Sequence, residues 1–315
     1  MKRAAIAYRA LSFLLVAFLS TACDKSDPFS AVDGDPNAPD ADLTAPDADL
    51  TAPDAPPVPD ADPNAADAAP TACAPVPARM VVVGDSIMWC WGVSDYLGPL
   101  SDKCGVKIFN GYMNQHYAAG ITYENLSVPG AVTSNIPGQL GTSPRAGHVL
   151  MMIYIGGNDL VDFLGMTDAE SMTFFASRMP AIRNTWETQI FPFFENSNNF
   201  PDGVTVVMNT QYNPYDDCNT EGNIKMTAVK IGLLAEYNRQ LTEMANARDY
   251  VFITDQHGPF LGHGQANTRT NPACPHYIPN AEYWMFDEIH PNDPGYASLA
   301  AEWAKTADLI YRDCI

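Results

Sequence analysis

The chain has 315 residues, 46% of them hydrophobic, enough for one sizeable core and long for one compact domain. Its 17 Lys and Arg stand against 37 Asp and Glu, a formal net charge of -20. That balance excludes a nucleic-acid footprint and a polybasic membrane patch.

The amino terminus reads as an address. Lys2, Arg3 and Arg9 precede an apolar stretch from Leu11 to Ala22, shorter than the ~20 residues of a membrane-spanning helix. Residues 1–22 are therefore expected to be a secretory signal peptide. Ser20-Thr21-Ala22 places small residues ahead of Cys23, which resembles the lipobox of bacterial lipoproteins, with Leu19 one place further back than usual. Seven cysteines leave one over in an oxidising compartment, and lipidation of Cys23 removes the odd thiol. The expected location is extracytoplasmic: a bacterial lipoprotein anchored in a membrane, otherwise a secreted protein. No Cys-x-x-Cys occurs, so neither a redox dithiol nor a zinc ribbon is indicated.

Residues 23–72 form a low-complexity tether. Residues 24–72 hold twelve Asp and one Lys, and the heptad Ala-Asp-Leu-Thr-Ala-Pro-Asp occurs at 41–47 and again at 48–54. Proline and self-repelling carboxylates bury no core, so this segment is expected to stay extended and disordered. No glycine-centred loop with a closing Glu makes it a calcium site.

In residues 73–315, short apolar runs alternate with amphipathic stretches. Met80–Val83, His148–Ile155, Val204–Asn209 and Val251–Thr254 are rich in Val, Ile and Met and read as buried strands, with Asn125–Val128 as a shorter fifth. Helical patterns cover Ala169–Phe194, Ile224–Ala247 and Pro294–Tyr311. The alternation predicts a three-layer α/β/α sandwich around a mostly parallel five-stranded sheet. Ligands bind such sheets beyond the carboxyl ends of the strands, so chemistry is expected there.

Gly84-Asp85-Ser86 follows the first strand, Pro129-Gly130-Ala131 the short one and Gly156-Gly157-Asn158-Asp159 the next, while Asp287-Glu288-Ile289-His290-Pro291 stands just before the last helix. In this order the four blocks resemble the SGNH hydrolases, also called the GDSL esterase and lipase family. The resemblance spans residues 80–315 and implies the family's flavodoxin-like fold. It also implies Ser86 as nucleophile and His290 with Asp287 as its partners, an oxyanion hole from the N–H groups of Ser86 and Gly130 and the Asn158 amide, and no cofactor.

Elementary chemistry leads to the same catalytic roles. A serine hydroxyl is a poor nucleophile until an imidazole takes its proton, and a carboxylate must hold that imidazole in one tautomer. Asp287 and His290, three apart on a turn, suit this. Taken singly, the serine, glycine and asparagine read equally well as caps and turn residues. His116, His148, His257, His263 and His276 show no such partners, and the spacing of His257, His263 and His276 matches no zinc pattern, so no metal is expected. Gly-x-Ser-x-Gly, P-loop, His-Glu-x-x-His and Gly-x-Gly-x-x-Gly motifs are absent from the sequence.

Trp89 and Trp284 are candidates for substrate contact, and Trp91 is assigned to the core. Chain order suggests three disulfides: Cys73 with Cys314, stapling the two ends; Cys90 with Cys104, bracketing the first helix; and Cys218 with Cys274, joining loops after later strands. No extended apolar lid is evident.

The expected activity is an exported serine esterase acting on carboxylic esters through an acyl-Ser86 intermediate, preferably a carbohydrate O-deacetylase. Lipase, lysophospholipase or thioesterase activity is the alternative within the family, acyltransfer a third, and an inactive surface binding protein the reading from another class. The expected partner is a small-molecule or polysaccharide ester met by a monomer that contacts a membrane only through its lipid anchor.

Overall fold

Five of the apolar stretches build one sheet, described in a computed structural model that covers residues 74–312 except 143 and 221–222. The strands are β1 (Arg79–Gly84), β2 (Thr122–Asn125), β3 (Val149–Tyr154), β4 (Val204–Asn209) and β5 (Val251–Thr254), arranged 2-1-3-4-5 and all parallel. The expected signal peptide and tether, Cys23 and the expected Cys73–Cys314 pair lie outside the described residues.

Alternate strand residues face opposite layers. Val81, Val83, Met151, Ile153, Val206 and Met208 join one core with Phe175, Ile182, Leu234 and Leu241. The last four come from α3 (Asp168–Thr185) and α4 (Ala228–Asn246), and α2 (Ile136–Leu140) adds Ile136 and Leu140 on that face. Met80, Val82, Leu150, Met152 and Val207 join the other core with Phe109, Met113, Leu299 and Trp303 from α1 (Gly105–His116) and α5 (Asp293–Tyr311). Burial on both faces explains why the central strands read as continuous apolar runs.

Helix starts follow capping chemistry. Thr167 and Glu170 form a capping box at α3, Thr227 caps α4, and Asn292 caps α5 with Pro294 in its first turn. The α3 helix runs through a π turn (Trp186–Ile190) into Phe191–Glu195, which accounts for the long helical pattern in the sequence.

Two expectations are corrected. The edge strand β2 lies three residues earlier than its apolar signal, because Thr122 and Glu124 face water and the apolar Leu126 and Val128 follow the strand. Pairing does continue there, with Leu126 N–H on the Val82 carbonyl at 2.8 Å and Val128 N–H on the Gly84 carbonyl at 3.0 Å. The first helix begins after Cys104, not between the two cysteines. Residues 90–104 instead fold as turns around one short 3₁₀ segment (Gly98–Leu100), since Gly92, Gly98 and Pro99 break helical continuity.

Disulfides join Cys90 to Cys104 and Cys218 to Cys274. Such bridges are characteristic of an oxidising compartment and agree with the extracytoplasmic location expected from the sequence. Among the described residues no helix is long and apolar enough to cross a membrane.

His257, partnerless in the sequence, has a partner in the fold. Its Nε2 lies 3.1 Å from Asp217 Oδ2, tying the segment after β5 to the loop after β4. Burial alone would lower the imidazole pKa, but the hydrogen bond and charge of Asp217 outweigh it and leave the pKa raised. A raised histidine contributes stability that is full below the unfolded value, about 6.5, and is lost as pH rises through the folded value. Replacing His257→Gln is therefore expected to lower stability by on the order of 1 kcal/mol near pH 6, with the deficit shrinking at alkaline pH. Thermal melts across pH check this, and a deficit independent of pH would contradict it.

Candidate active site

The site lies beyond the carboxyl ends of β1 and β3. Gly84 ends β1 at φ +147°, and a Cβ there would meet the Tyr154 carbonyl oxygen at 2.3 Å, so only glycine lets the chain cross that strand end. The Gln139 side chain of α2 grips this residue twice: Oε1 accepts the Gly84 N–H and Nε2 donates to its carbonyl, each at 2.8 Å. Asp85 then turns the chain by accepting the Ile87 N–H on Oδ1 at 2.9 Å. Ser86 follows, almost buried at the mouth of a cleft.

The last block approaches from the other end of the chain. Asp287 Oδ1 accepts the N–H groups of Ile289 at 2.9 Å and His290 at 2.8 Å, closing a tight turn. Its Oδ2 lies 2.7 Å from His290 Nδ1, and His290 Nε2 lies 2.9 Å from Ser86 Oγ, across 204 positions of sequence. Two tyrosines support the arrangement: the Tyr212 hydroxyl donates to the Ile289 carbonyl, and that of Tyr296 to the Trp91 carbonyl at 2.7 Å.

The two carboxyl groups near Ser86 differ electrostatically. Burial would raise Asp287, but hydrogen bonds from Ile289 and His290 outweigh it and hold the carboxyl below its ordinary range. Asp85 is completely enclosed, and burial pushes it up to about 7 despite the Ile87 hydrogen bond, with the nearby Asp159 charge adding to the rise. Asp287 is the one suited to remain an anion beside an imidazolium.

Asn158 enters from the turn after β3. Gly156, at φ +120°, could carry no Cβ because the Tyr237 hydroxyl would lie 1.8 Å away. Asn158 Nδ2 donates to the Ala131 carbonyl at 2.9 Å, and Asp159 Oδ2 accepts both the N–H and the hydroxyl of Thr133, at 2.7 and 2.8 Å. These bonds fasten the Pro129–Thr133 loop, with Gly130 at φ +81°, to the Asn158 turn.

Ser86, Asn158 and His290 line one cavity of about 90 Å³, whose remaining wall is mostly apolar: Leu160, Phe163, Leu164, Met226 and Leu234 among others. A wider groove adjoins it, sharing Val161, Leu164, Ile289 and His290 and adding Lys225 and Glu288. Gly130 is not among the residues lining this cavity.

The tryptophans depart from expectation. Trp89 does not line the cavity, since its ring packs on Gly98, where a Cβ would lie 2.4 Å from it. Trp284 also faces elsewhere, stacked on His263 at 3.6 Å. Trp91, assigned to the core, is 46% exposed, with its ring 6.2 Å from that of His290. The turn structure of this segment carries it outward.

Gln139, Tyr212 and Lys230 go unnoticed in the sequence. Lys230 is buried, and its Nζ donates to the carbonyls of Ile224 at 2.9 Å and Leu164 at 3.4 Å, bracing the cavity wall. No spacing rule flags any of the three, because each acts through a backbone group brought near only by folding.

A sequence profile of the GDSL-like Lipase/Acylhydrolase family matches residues 82–298. A search of curated proteins gave no match. Among solved structures, the chain is similar to an extracellular lipase from Streptomyces rimosus, with 17% identity, 72% of this chain and 99% of the other covered, and a TM-score of 0.50. It is similar to phospholipase A1 from Streptomyces albidoflavus NA297, with 18% identity, 72% and 98% coverage and a TM-score of 0.52. A lipase from a goat rumen metagenome gives 16% identity, 73% and 99% coverage and a TM-score of 0.52. These likenesses bear on the fold, which they share. With the profile running through most of the folded region, three of the family's blocks after strands and the fourth before the last helix, the chain belongs to the GDSL-like lipase/acylhydrolase family of SGNH hydrolases.

Proposed function

We propose that the protein hydrolyses carboxylic esters through an acyl-Ser86 intermediate. The observation that carries this reading is the unbroken line from Asp287 Oδ2 through His290 to Ser86 Oγ, at 2.7 and 2.9 Å. His290 Nε2 takes the hydroxyl proton as Oγ attacks the ester carbonyl, and Asp287 stabilises the imidazolium. The same proton then passes to the departing alkoxide, and water repeats the sequence to release the acid. The oxyanion is received by the N–H groups of Ser86 and Gly130 and by the Asn158 amide, of which one hydrogen is committed to Ala131 and the other is left for substrate.

The cavity favours a hydrocarbon acyl group over acetyl from a sugar. An apolar cavity of 150 Å³ admits a benzene-sized guest, so about 90 Å³ suits roughly four carbons, and a lone methyl would leave most of it empty. This moves the preference from carbohydrate deacetylation to a lipase-like or short-chain esterase activity. Residues 73–315 are the catalytic unit in this reading, acting as a monomer without a cofactor. Residues 1–22 serve export, and residues 23–72 tether the enzyme through lipidated Cys23.

Turnover of p-nitrophenyl esters tests the proposal. Ser86→Ala and His290→Ala are each expected to reduce kcat by about 10⁶-fold, and Asp287→Asn by about 10⁴-fold. Activity surviving in Ser86→Ala would overturn the mechanism, and a folded wild type inert on every ester would point to a binding protein instead. Asn158→Ala is expected to cost about 10² to 10³ in kcat with a much smaller change in KM. Gln139→Ala, which frees Gly84 without touching substrate, should lower kcat by about tenfold and Gln139→Glu should restore part of it; unchanged kcat in the alanine variant would remove Gln139 from the positioning of Ser86.

A further inference from the structure

The segment after the nucleophile presents an apolar face that none of the described residues covers. Tyr96 and Leu100 are each 76% exposed, Leu97 55%, Trp91 46% and Phe286 44%. They are contiguous: the Tyr96 and Phe286 rings meet edge-on at 6.4 Å, a Cβ on Gly92 would lie 2.9 Å from Phe286 Cβ, and Gly98 rests on the Trp89 ring, 6.0 Å from Trp91. The face abuts the site, since Trp91 lies 6.2 Å from His290 and Phe286 immediately precedes Asp287. Soluble domains rarely leave large side chains of this kind grouped in water unless they meet something.

The display is held rigidly. Cys90–Cys104 closes the segment, and Asp293 accepts the Ser94 N–H and hydroxyl at 2.8 and 2.7 Å. Asp95 accepts the Leu97 N–H at 3.1 Å and the Ser101 hydroxyl at 2.8 Å. Tyr96 itself sits at φ +56°, unfavourable for a residue with a Cβ, so the surroundings force it outward.

We propose that this face docks the enzyme on the surface of a zwitterionic lipid aggregate, with Tyr96, Leu97 and Leu100 entering the interface. Three observations select that occupant. Leu97 and Leu100 are aliphatic and gain nothing from stacking on a sugar ring, whereas Trp and Tyr with Leu are the side chains that settle at a lipid–water boundary. The cavity at Ser86 is apolar, and esters with hydrocarbon acyl groups gather in aggregates. Of the neighbouring charges, Lys103 lies 2.8 Å from Asp293 and Lys107 2.7 Å from Asp102, which leaves Asp95 as an acidic excess, and the chain as a whole carries -20, so an anionic surface is disfavoured. The inference builds on the esterase reading but can fail separately. It also adds a membrane contact independent of the expected anchor at Cys23.

The test uses the full chain carrying Cys23→Ser, so that no attached lipid contributes, with and without Leu97→Asp/Leu100→Asp. With Ser86→Ala added to prevent hydrolysis, co-sedimentation with phosphatidylcholine vesicles and a blue shift of tryptophan emission are expected for the parent, with apparent affinity reduced about tenfold or more in the aspartate pair. In the Ser86 proteins the pair should leave soluble p-nitrophenyl acetate turnover unchanged and lower turnover of an ester dispersed as droplets about tenfold. Equal vesicle binding by both proteins would overturn the proposal. So would loss of binding to soluble acetylated xylan without loss of vesicle binding, or a lipid-free dimer that the pair converts to monomer. Absence of turnover on every ester would sink the esterase reading while leaving the vesicle result interpretable.

Discussion

One contact organises the molecule: the 2.9 Å approach of His290 Nε2 to Ser86 Oγ, made by residues 204 positions apart. Neither partner is held by its neighbours in sequence alone. Ser86 is placed by the end of β1, where Gly84 slips past the β3 carbonyl and is gripped by Gln139. His290 is placed by the start of α5, by the Asp287 turn and by the Tyr212 hydroxyl from the β4 side. A parallel sheet brings all its carboxyl ends to one edge, so such distant blocks can converge without any of them crossing the core.

The loops at that edge are tied to each other as well as to the sheet. Asn158 and Asp159 fasten the Gly130 loop, Lys230 braces the turn after β3, and the Cys218–Cys274 and His257–Asp217 links join the loops after β4 and β5. Catalytic hydrogen bonds tolerate displacements of only a few tenths of an ångström before losing strength. A site made of loops therefore needs cross-links of this kind where helices and strands do not supply rigidity.

The apolar cavity and the exposed Trp91–Leu100 face both adjoin His290 and agree in chemistry. In the proposed reading both suit a substrate with hydrocarbon character.

The amino-acid sequence by itself determined the layered α/β architecture, because strands buried on both faces must be continuous apolar runs and helices must be amphipathic. It also determined the four chemical blocks, which depend on residue type and order, whereas it left fifteen cysteine connectivities open and the fold selected Cys90–Cys104 and Cys218–Cys274. Tertiary structure alone decided the rest. The β2 boundary escaped because an edge strand facing water has no apolar signature. Trp91 was misplaced because its exposure depends on turns set by Gly92 and Gly98 and on a hydroxyl from Tyr296, far along the chain. Gln139, Tyr212 and Lys230 act on backbone carbonyls and N–H groups, which every residue carries, so no residue type marks their targets until folding brings them within hydrogen-bonding distance.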